Sequence, residues 1–596
     1  MRSAFFGFHV ASSALFTARG NLNVISHNIS NVEIPGFSRQ VAQAQANMPL
    51  SLRDGRGMYG TGSRVTGIIQ IRDHFLDRQF WSQRAVLGQN IATNNHLTFV
   101  EIVFNELPGA GVLRSFNDFF ARLHNLTENT SAPTFRNGVI TQAETLAEMI
   151  NHNARALQRQ QMDINREVSD TVGIINSLGA QITRLNEQIR IFEQDGSNAN
   201  DLRDQRALLI DQLSELVNVS VEERDFSTPE NPNDRRLFVM INGHDFINND
   251  MLNRLEVRAR ADGAERNEMD VRGLYDIFFT NGSRFDIYSR TLSGTLRGLI
   301  DVRDGNGGHS TVQIGGNNVY TSRFSGIPFY MNQLNLLVRT FATAMNEGRN
   351  VDLERIPGTI GHIFGFDANG NNTQMMMFDF VHPITGETAV LIERDANGNP
   401  VPDADNNGIR RWLLINTEGE FVAMDSFMYG VPGVGDIPAG YSLARDELGN
   451  PLFTLDKTHM NALNFRVNPR LTASGGDQFL ATTSNPDDGA SSNDVIIGFN
   501  KIGTDGSLFR EGRLIDFIIS VNDQLAIDRR QARNFRISYE EIVMQTHNNR
   551  LSIKGVDINE EMMNLVRFQT MFTAASRLVN VLDNVYDTLI NRLGNI

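Results

Sequence analysis

Residues 558–589 read INEEMMNLVRFQTMFTAASRLVNVLDNVYDTL, and this stretch decides the fold. Taken in sevens, one register holds Ile558, Leu565, Phe572, Val579 and Tyr586. The register three places later holds Phe568, Ala575, Leu582 and Leu589. Apolar residues kept at both positions over four heptads predict a helix packed lengthwise on another helix. The other end of the chain supplies the partner. Phe8, Leu15, Leu22 and Ile29 fall seven apart, beside Ala4, Ala11, Ala18, Ile25 and Val32. The two termini are expected to pair into one rod, with the rest of the chain hung between them.

At 596 residues the chain is long enough for about four domains of ~150 residues. Its apolar fraction of 40% supports real cores, and 21% charged residues does not indicate wholesale disorder. The net charge is −15, and only Lys457, Lys501 and Lys554 are lysines, so almost every cation is arginine. No basic cluster builds a phosphate-tracking surface, so neither nucleic acid nor an anionic membrane is an expected partner. The absence of cysteine excludes disulfides, thiolate metal sites and cysteine nucleophiles. The run AFFGFHVASSALF has the look of a signal-peptide core. It carries a histidine, however, and its heptads continue past Arg19, which favours a helix and export without a cleaved leader. No run of ~18 apolar residues spans a membrane.

Helix gives way at Ile34-Pro35-Gly36, because proline and glycine do not continue it. Asn28, Asn31, Pro35, Gly36, Phe37, Ser38, Arg39 and Gln40 then form a signature that resembles the axial proteins of the bacterial flagellum, the rod, hook and hook-associated proteins. The ending Gly36-Phe37-Ser38-Arg39-Gln40 is similar to that of the hook-associated protein 1 family, which more often has Tyr where Phe37 stands. That exchange keeps the ring and loses the hydroxyl. Asp54 to Gly62 contains a literal G-x-G-x-x-G, but the β-branched run Ser63 to Ile71 follows it where a dinucleotide site needs a helix. A glycine-rich hairpin loop fits better.

From Arg72 to about Val217 the pattern predicts three or four helices, with Pro133 resetting the bundle. Ile164, Val168, Ile175, Leu178, Ile182, Leu185, Ile189 and Phe192 mark the longest, which stops at Asp195-Gly196. Asn200 or Asp201 is placed to cap a returning helix with apolar Leu202, Leu209, Leu213 and Leu216. This αα-hairpin again resembles hook-associated protein 1 and separates it from the hook protein. Short β-rich runs fill 221–288, and helix returns at 291–304 and 330–350. Residues 357–494, rich in Gly, Asn, Asp and Pro, read as a β-rich insert. Helix resumes near Glu511, and Ser538 with Glu541 has capping-box spacing, which predicts a second start inside that span. Glu560 and Glu561 open the C-terminal flagellar signature.

Few residues suggest chemistry. Asp403 to Gly408 matches the first half of a calcium loop, but position 12 is Leu414. The tracts at Asp367 and Asp395 fail at the glycine position, and such Asx-Gly tracts are more often turns. His27 reads as a ligand or, more simply, as a packed or solvent-facing side chain. No hydrolase, kinase or zinc motif occurs, so no catalytic, cofactor or metal site is assigned.

The expected fold is multidomain α+β: a helical rod or coiled coil from 1–50 paired with 555–596, a helical body from 51–220, 289–350 and 500–554, a small β element at 221–288, and an outer β-rich domain at 351–499. The resemblance implies a structural subunit of the junction between hook and filament. It implies self-assembly into a ring, with hook protein on one side and hook-associated protein 3 on the other, and export aided by a flagellar chaperone. Its place is the flagellum, extracellular or, where the flagellum is enclosed, periplasmic. The assembly contacts are expected from Phe8, Leu15, Leu22, Ile29, Leu565, Phe572, Val579, Leu582, Tyr586 and Leu589. The alternatives are the hook protein or another axial subunit, and an axial scaffold whose 357–494 insert carries a calcium-dependent or enzymatic activity.

Overall fold

The computed structural model describes residues 6–588 apart from 52–57, 105–110, 229–233, 262–263, 290, 309–310, 315–316, 321–322, 349, 352–353, 356–359, 368, 372, 374, 381–390, 394–412, 417–420, 424–440, 444–452, 456–459 and 489–490. Ala4, Leu589, the Asp403 loop and the Asp395 tract therefore lie outside the described residues. The helices are α1 (Phe6–Ser30), α2 (His74–Phe104), α3 (Val112–Glu128), α4 (Pro133–Phe192), α5 (Asn200–Leu216), α6 (Thr295–Asp304), α7 (Ile327–Glu347), α8 (Pro469–Thr472), α9 (Asp494–Thr504), α10 (Leu514–Lys554) and α11 (Ile558–Asp587).

The termini pair. α1 and α11 lie along each other and run antiparallel, since Gly7 sits against Leu582 while Asn28 meets Glu561. α1 also rests on the antiparallel strands Gln40–Ala46 and Ser63–Gln70. Thr17 Oγ1 donates to the Ser63 carbonyl at 3.3 Å, and Ser13 Oγ accepts from the Ser63 N–H at 3.2 Å. The contact is so close that a Cβ on Gly62 would lie 2.0 Å from Ser13 Oγ, and Gly62 has φ +101°. The glycine-rich segment thus leads into a strand, not a helix.

Four helices follow between His74 and Leu216. α4 opens with Pro133, whose missing N–H costs nothing in a first turn. It then runs unbroken for 60 residues. Its heptad residues Ile164, Val168, Ile175, Leu178, Ile182 and Ile189 are buried, while Phe192 at the end stays 62% exposed. Gly196, in the left-handed region at φ 85°, turns the chain back into α5, and this hairpin is the feature expected to exclude the hook protein. Neither Asn200 nor Asp201 caps α5. Ala199 holds the cap position, its N–H bound by Glu193 at 3.0 Å, and the Asn200 amide faces Gln40 and the Ile68 carbonyl instead.

The second expected start, at Ser538, is also absent. α10 is one helix of 41 residues, and it begins at Arg513, whose backbone N–H and guanidinium both bind Asp516. Capping-box spacing starts a helix only where the backbone breaks beforehand. No glycine or proline interrupts residues 514–554, and α2 backs the helix through tertiary packing.

The β element is a four-stranded antiparallel sheet, Val219–Asp225, Arg235–Ile241, His244–Asn248 and Met251–Leu252, followed by the hairpin Leu255–Ala259 with Tyr275–Phe279. It leans on α4 at Gly179, where a Cβ would come within 2.6 Å of the Phe246 ring. A buried charge cluster fastens α6 beside it. Arg303 reaches Asp304 at 2.8 Å and Asn165 at 2.9 Å, and Arg260 reaches Asp304 at 2.7 Å. Burial opposes the Asp304 charge, but Arg260 and Arg303 outweigh it and hold the carboxyl far below the usual range.

The main core centres on rings. Phe341 of α7 meets Phe116 at 4.9 Å, edge to face, and Phe378 at 5.0 Å, while Phe378 stacks on Phe465 at 5.0 Å. Phe378–Phe380 and Phe465–Val467 pair as antiparallel strands, so the helical core extends into both flanks of the insert. Further out, short antiparallel pairings join Leu391–Glu393 to Phe453–Leu455, and Leu413–Asn416 to Phe421–Ala423 and Tyr441–Leu443. At Asp367 the tract is a turn, its Oδ1 accepting from the N–H groups of Asn369 at 2.8 Å and Asn371 at 2.9 Å.

Candidate assembly site

The rod is joined to the body through the segment that follows α1. Pro35 and Gly36, the latter at φ 87°, complete the turn, and Gly36 seats the chain on Leu208 of α5, 3.3 Å from where a Cβ would stand. Phe37 packs edge to face on His27 at 5.6 Å. His27 Nε2 lies 3.2 Å from Asp201, and Asn31 bonds back to His27. His27 is therefore a packed, partnered histidine.

Ser38, Arg39 and Gln40 then each bind a different set of partners. Ser38 gives both its N–H and its hydroxyl to the Asp204 carboxylate, each at 2.7 Å. Arg39 donates Nε to Glu561 at 2.7 Å and Nη2 to Glu560 at 2.6 Å, and its backbone N–H binds the Lys554 carbonyl at 2.8 Å. Gln40 exchanges bonds with the Asn28 amide, 3.0 Å from its N–H and 2.9 Å to its carbonyl, and reaches Asp201 at 2.6 Å. Asn28 also reaches Glu561 at 3.3 Å.

Beneath them lies a second layer. Arg72 pairs with Asp77 at 2.6 Å and Asp204 at 3.3 Å. Arg550 pairs with Asp77 at 2.8 Å and Asp211 at 3.0 Å, and the Trp81 indole N–H donates to Asp211 at 2.6 Å. Burial works against the Asp77 charge, yet Arg72 and Arg550 hold its carboxyl below the usual range. Burial wins at Asp204, which is held above it. Such a joint resists displacement, because losing one partner leaves a buried charge uncompensated. It ties α1, α2, α5, α10 and α11 together at one place.

The heptad residues fall where the rod closes. Ala11, Ala18, Ile25 and Ala575 are buried. Phe8, Leu15, Leu22, Ile29, Leu565, Phe572, Val579, Leu582 and Tyr586 are half-buried, and Leu582 rests against Gly7 across the seam. Apolar side chains of α11 open to another molecule lie outside the seam, with Met563 68%, Val566 62% and Val581 56% exposed on the far side and Met571 44%, Leu578 49% and Val585 46% exposed along its flank. The expected interface residues did not include this face, and its signal was present: Met571, Leu578 and Val585 also stand seven apart.

Among the described residues no cluster of His, Asp or Glu fits a metal ion, and no helix is long and apolar enough to cross a membrane. A cavity beside the joint, about 310 Å³, is lined by Arg72, Arg203 and Arg206 with Glu222 and Glu223. Its charges are already paired, Arg203 and Arg206 both reaching Glu223.

Comparison with known proteins places these features. Residues 97–364 match the family described as the flagellar hook-associated protein FlgK helical domain, and 547–593 match the C-terminal region of the flagellar basal body rod FlgEFG proteins. The chain is 24% identical to the flagellar hook-associated protein 1 of Bacillus subtilis, covering 100% of this chain and 99% of that one. It is 25% identical to the Escherichia coli protein of the same name, covering 98% of each. The Salmonella typhimurium protein is 31% identical over 37% of this chain and 39% of its own. The structure of the flagellar hook junction protein FlgK from Burkholderia pseudomallei, 13% identical, shares the fold with a TM-score of 0.52 over 80% of this chain and 100% of that one. Over its whole length the chain is similar to flagellar hook-associated proteins 1, residues 97–364 match their helical domain, and a structural role in the bacterial flagellum fits.

Proposed function

We propose that the chain forms the junction between hook and filament, holding its neighbours through the paired terminal helices. The observation that carries this reading is the double-sided character of α11. Its inner stripe closes on α1, while its outer face leaves Met563, Val566, Met571, Leu578, Val581 and Val585 uncovered. A contiguous apolar face of this kind marks a surface covered in the assembled state. Phe8, Leu15, Leu22, Ile29, Leu565, Phe572, Val579, Leu582, Tyr586 and Leu589 serve assembly by building the rod that presents that face, and the 28–40 signature fixes the rod on the body.

In this reading copies form a ring, with hook protein on one side and hook-associated protein 3 on the other. An export chaperone shields the uncovered face before assembly. Its role is mechanical, with no reaction to catalyse. Leu578→Asp is the test, since Leu578 is exposed in the single chain and the change should not disturb its fold. Cells carrying it should build hooks, leave them without filaments and shed filament protein into the medium. Normal filaments on those hooks would refute the proposal.

A further inference from the structure

The apolar stripe does not end at the rod. Ile537, Met544 and Leu551 of α10 stand seven apart and are all exposed, Met544 by 61%. Seven-residue steps drift only ~20° on a straight helix, so the three share one face. That face points away from the body. Thr546, two residues beyond Met544, donates to Gln83 of α2 at 2.6 Å, and Arg550, one before Leu551, is locked to Asp77 and Asp211. α10 thus offers an uncovered stripe of the same length and period as the outer stripe of α11.

The charges match as well. Glu540 is exposed beside the α10 stripe, one turn from Arg536 at 3.3 Å. Arg567 is exposed within the outer stripe of α11, where an arginine among apolar residues is costly to cover unless an acceptor meets it. One parallel register sets Met544 opposite Met571, Leu551 opposite Leu578 and Glu540 opposite Arg567. We infer that α10 of one copy receives the outer face of α11 of the next copy in this register. The inference rests on the reading that the chain assembles through α11, and it adds the surface that accepts it. A second copy is the occupant because one chain carries both complementary surfaces. Two different patches make a contact that repeats from copy to copy rather than closing on itself as a pair.

The absence of cysteine makes the test direct. Met544→Cys and Met571→Cys, both at exposed positions, are introduced singly and together into the full chain in cells that lack their own copy, and thiols are oxidised on intact flagella. The double variant should give a ladder of dimers, trimers and larger species on a non-reducing gel, and each single variant only monomer. A product that stops at dimer, a crosslink in either single variant, or no crosslink overturns the inference. Glu540→Arg and Arg567→Glu should each lower the assembled fraction about tenfold, and the double charge swap should restore it. Filament attachment separates the two levels. Attached filaments without a ladder refute the α10 acceptor and leave the junction role standing, whereas absence of the chain from hook tips refutes both.

Discussion

The core around α3, α4 and α7 and the rod of α1 and α11 are both helical, and they differ in what their apolar faces meet. In the core, Phe116, Phe119, Phe341 and Phe378 are wholly enclosed by other rings and aliphatic side chains. In the rod, every large apolar residue of the α11 stripe stays partly exposed, and the fully covered positions include Ala11, Ala18 and Ala575. Two helices alone do not enclose one another. The body folds on its own contacts, and the rod is completed by contacts from elsewhere.

Phe341→Ala breaks the comparison on the body side. It removes the ring that joins Phe116, Phe119 and Phe378, and the cavity left should cost about 3–5 kcal/mol in chemical denaturation. A loss below about 1 kcal/mol would mean the core collapses around the gap as freely as the rod would. Arg550→Met tests the joint between the two regions. It removes one of the two arginine partners of buried Asp77, leaving Arg72, and takes one of two donors from Asp211, so a loss of about 3 kcal/mol is expected, together with faster proteolysis of the rod.

His362 makes the body sensitive to acid. It is wholly buried, its Nδ1–H donating to the Met375 carbonyl at 2.8 Å and its Nε2 accepting from the Ala481 N–H at 3.2 Å. Burial pushes its pKa down to about 4, from 6.5. The folded ring is therefore neutral where the unfolded one gains a proton. Its stabilising contribution is complete above pH 6.5 and declines as the pH falls toward 4, by about 3 kcal/mol in all. Below that both states are protonated and the loss stops. Melting curves from pH 7 to 4 should show this slope, and His362→Gln should flatten it. A variant with an unchanged slope would assign the acid sensitivity to other groups.

The rod was legible in sequence because period is local: sevens in 8–29 and 558–589 are visible without any partner. The joint was not. Arg39 and Glu561 stand 522 positions apart, and Arg550 and Asp211 stand 339 apart. Arg39 and Glu561 were marked by the resemblance but not as partners, and Arg550 and Asp211 each read alone as an ordinary charge on a solvated helix face. One trace was available in α5, where Asp204 and Asp211 stand seven apart beside the leucine face and are both buried. Ser538 with Glu541 shows the converse, since correct cap spacing carries no information once packing keeps the helix intact. The outer stripe of α11 was masked by the stronger inner one.

Leu582→Asp sharpens the comparison from the rod side. Leu582 rests against Gly7, so a carboxylate there enters the seam. A half-buried site limits the cost to about 1–2 kcal/mol, spent on the rod alone. Body melting should stay as it was, while cleavage within 6–30 and 558–587 rises about tenfold. A fall in the body transition would show that the two regions fold as one.

Asp583→Ala has the smallest expected effect and fixes the register. One residue on from Leu582, the side chain turns about 100° around the helix and is exposed. α11 ends at Asp587, so Asp583 places a negative charge in the last turns, at the end where the helix already carries partial negative charge. Alanine removes that repulsion and is the better helix former, a gain of a few tenths of a kcal/mol at most. The rod of Asp583→Ala should therefore resist protease as well as the parent or slightly better. Were it cut faster while Leu582→Asp was cut no faster than the parent, the face of α11 that meets α1 would be one residue away from the seam described.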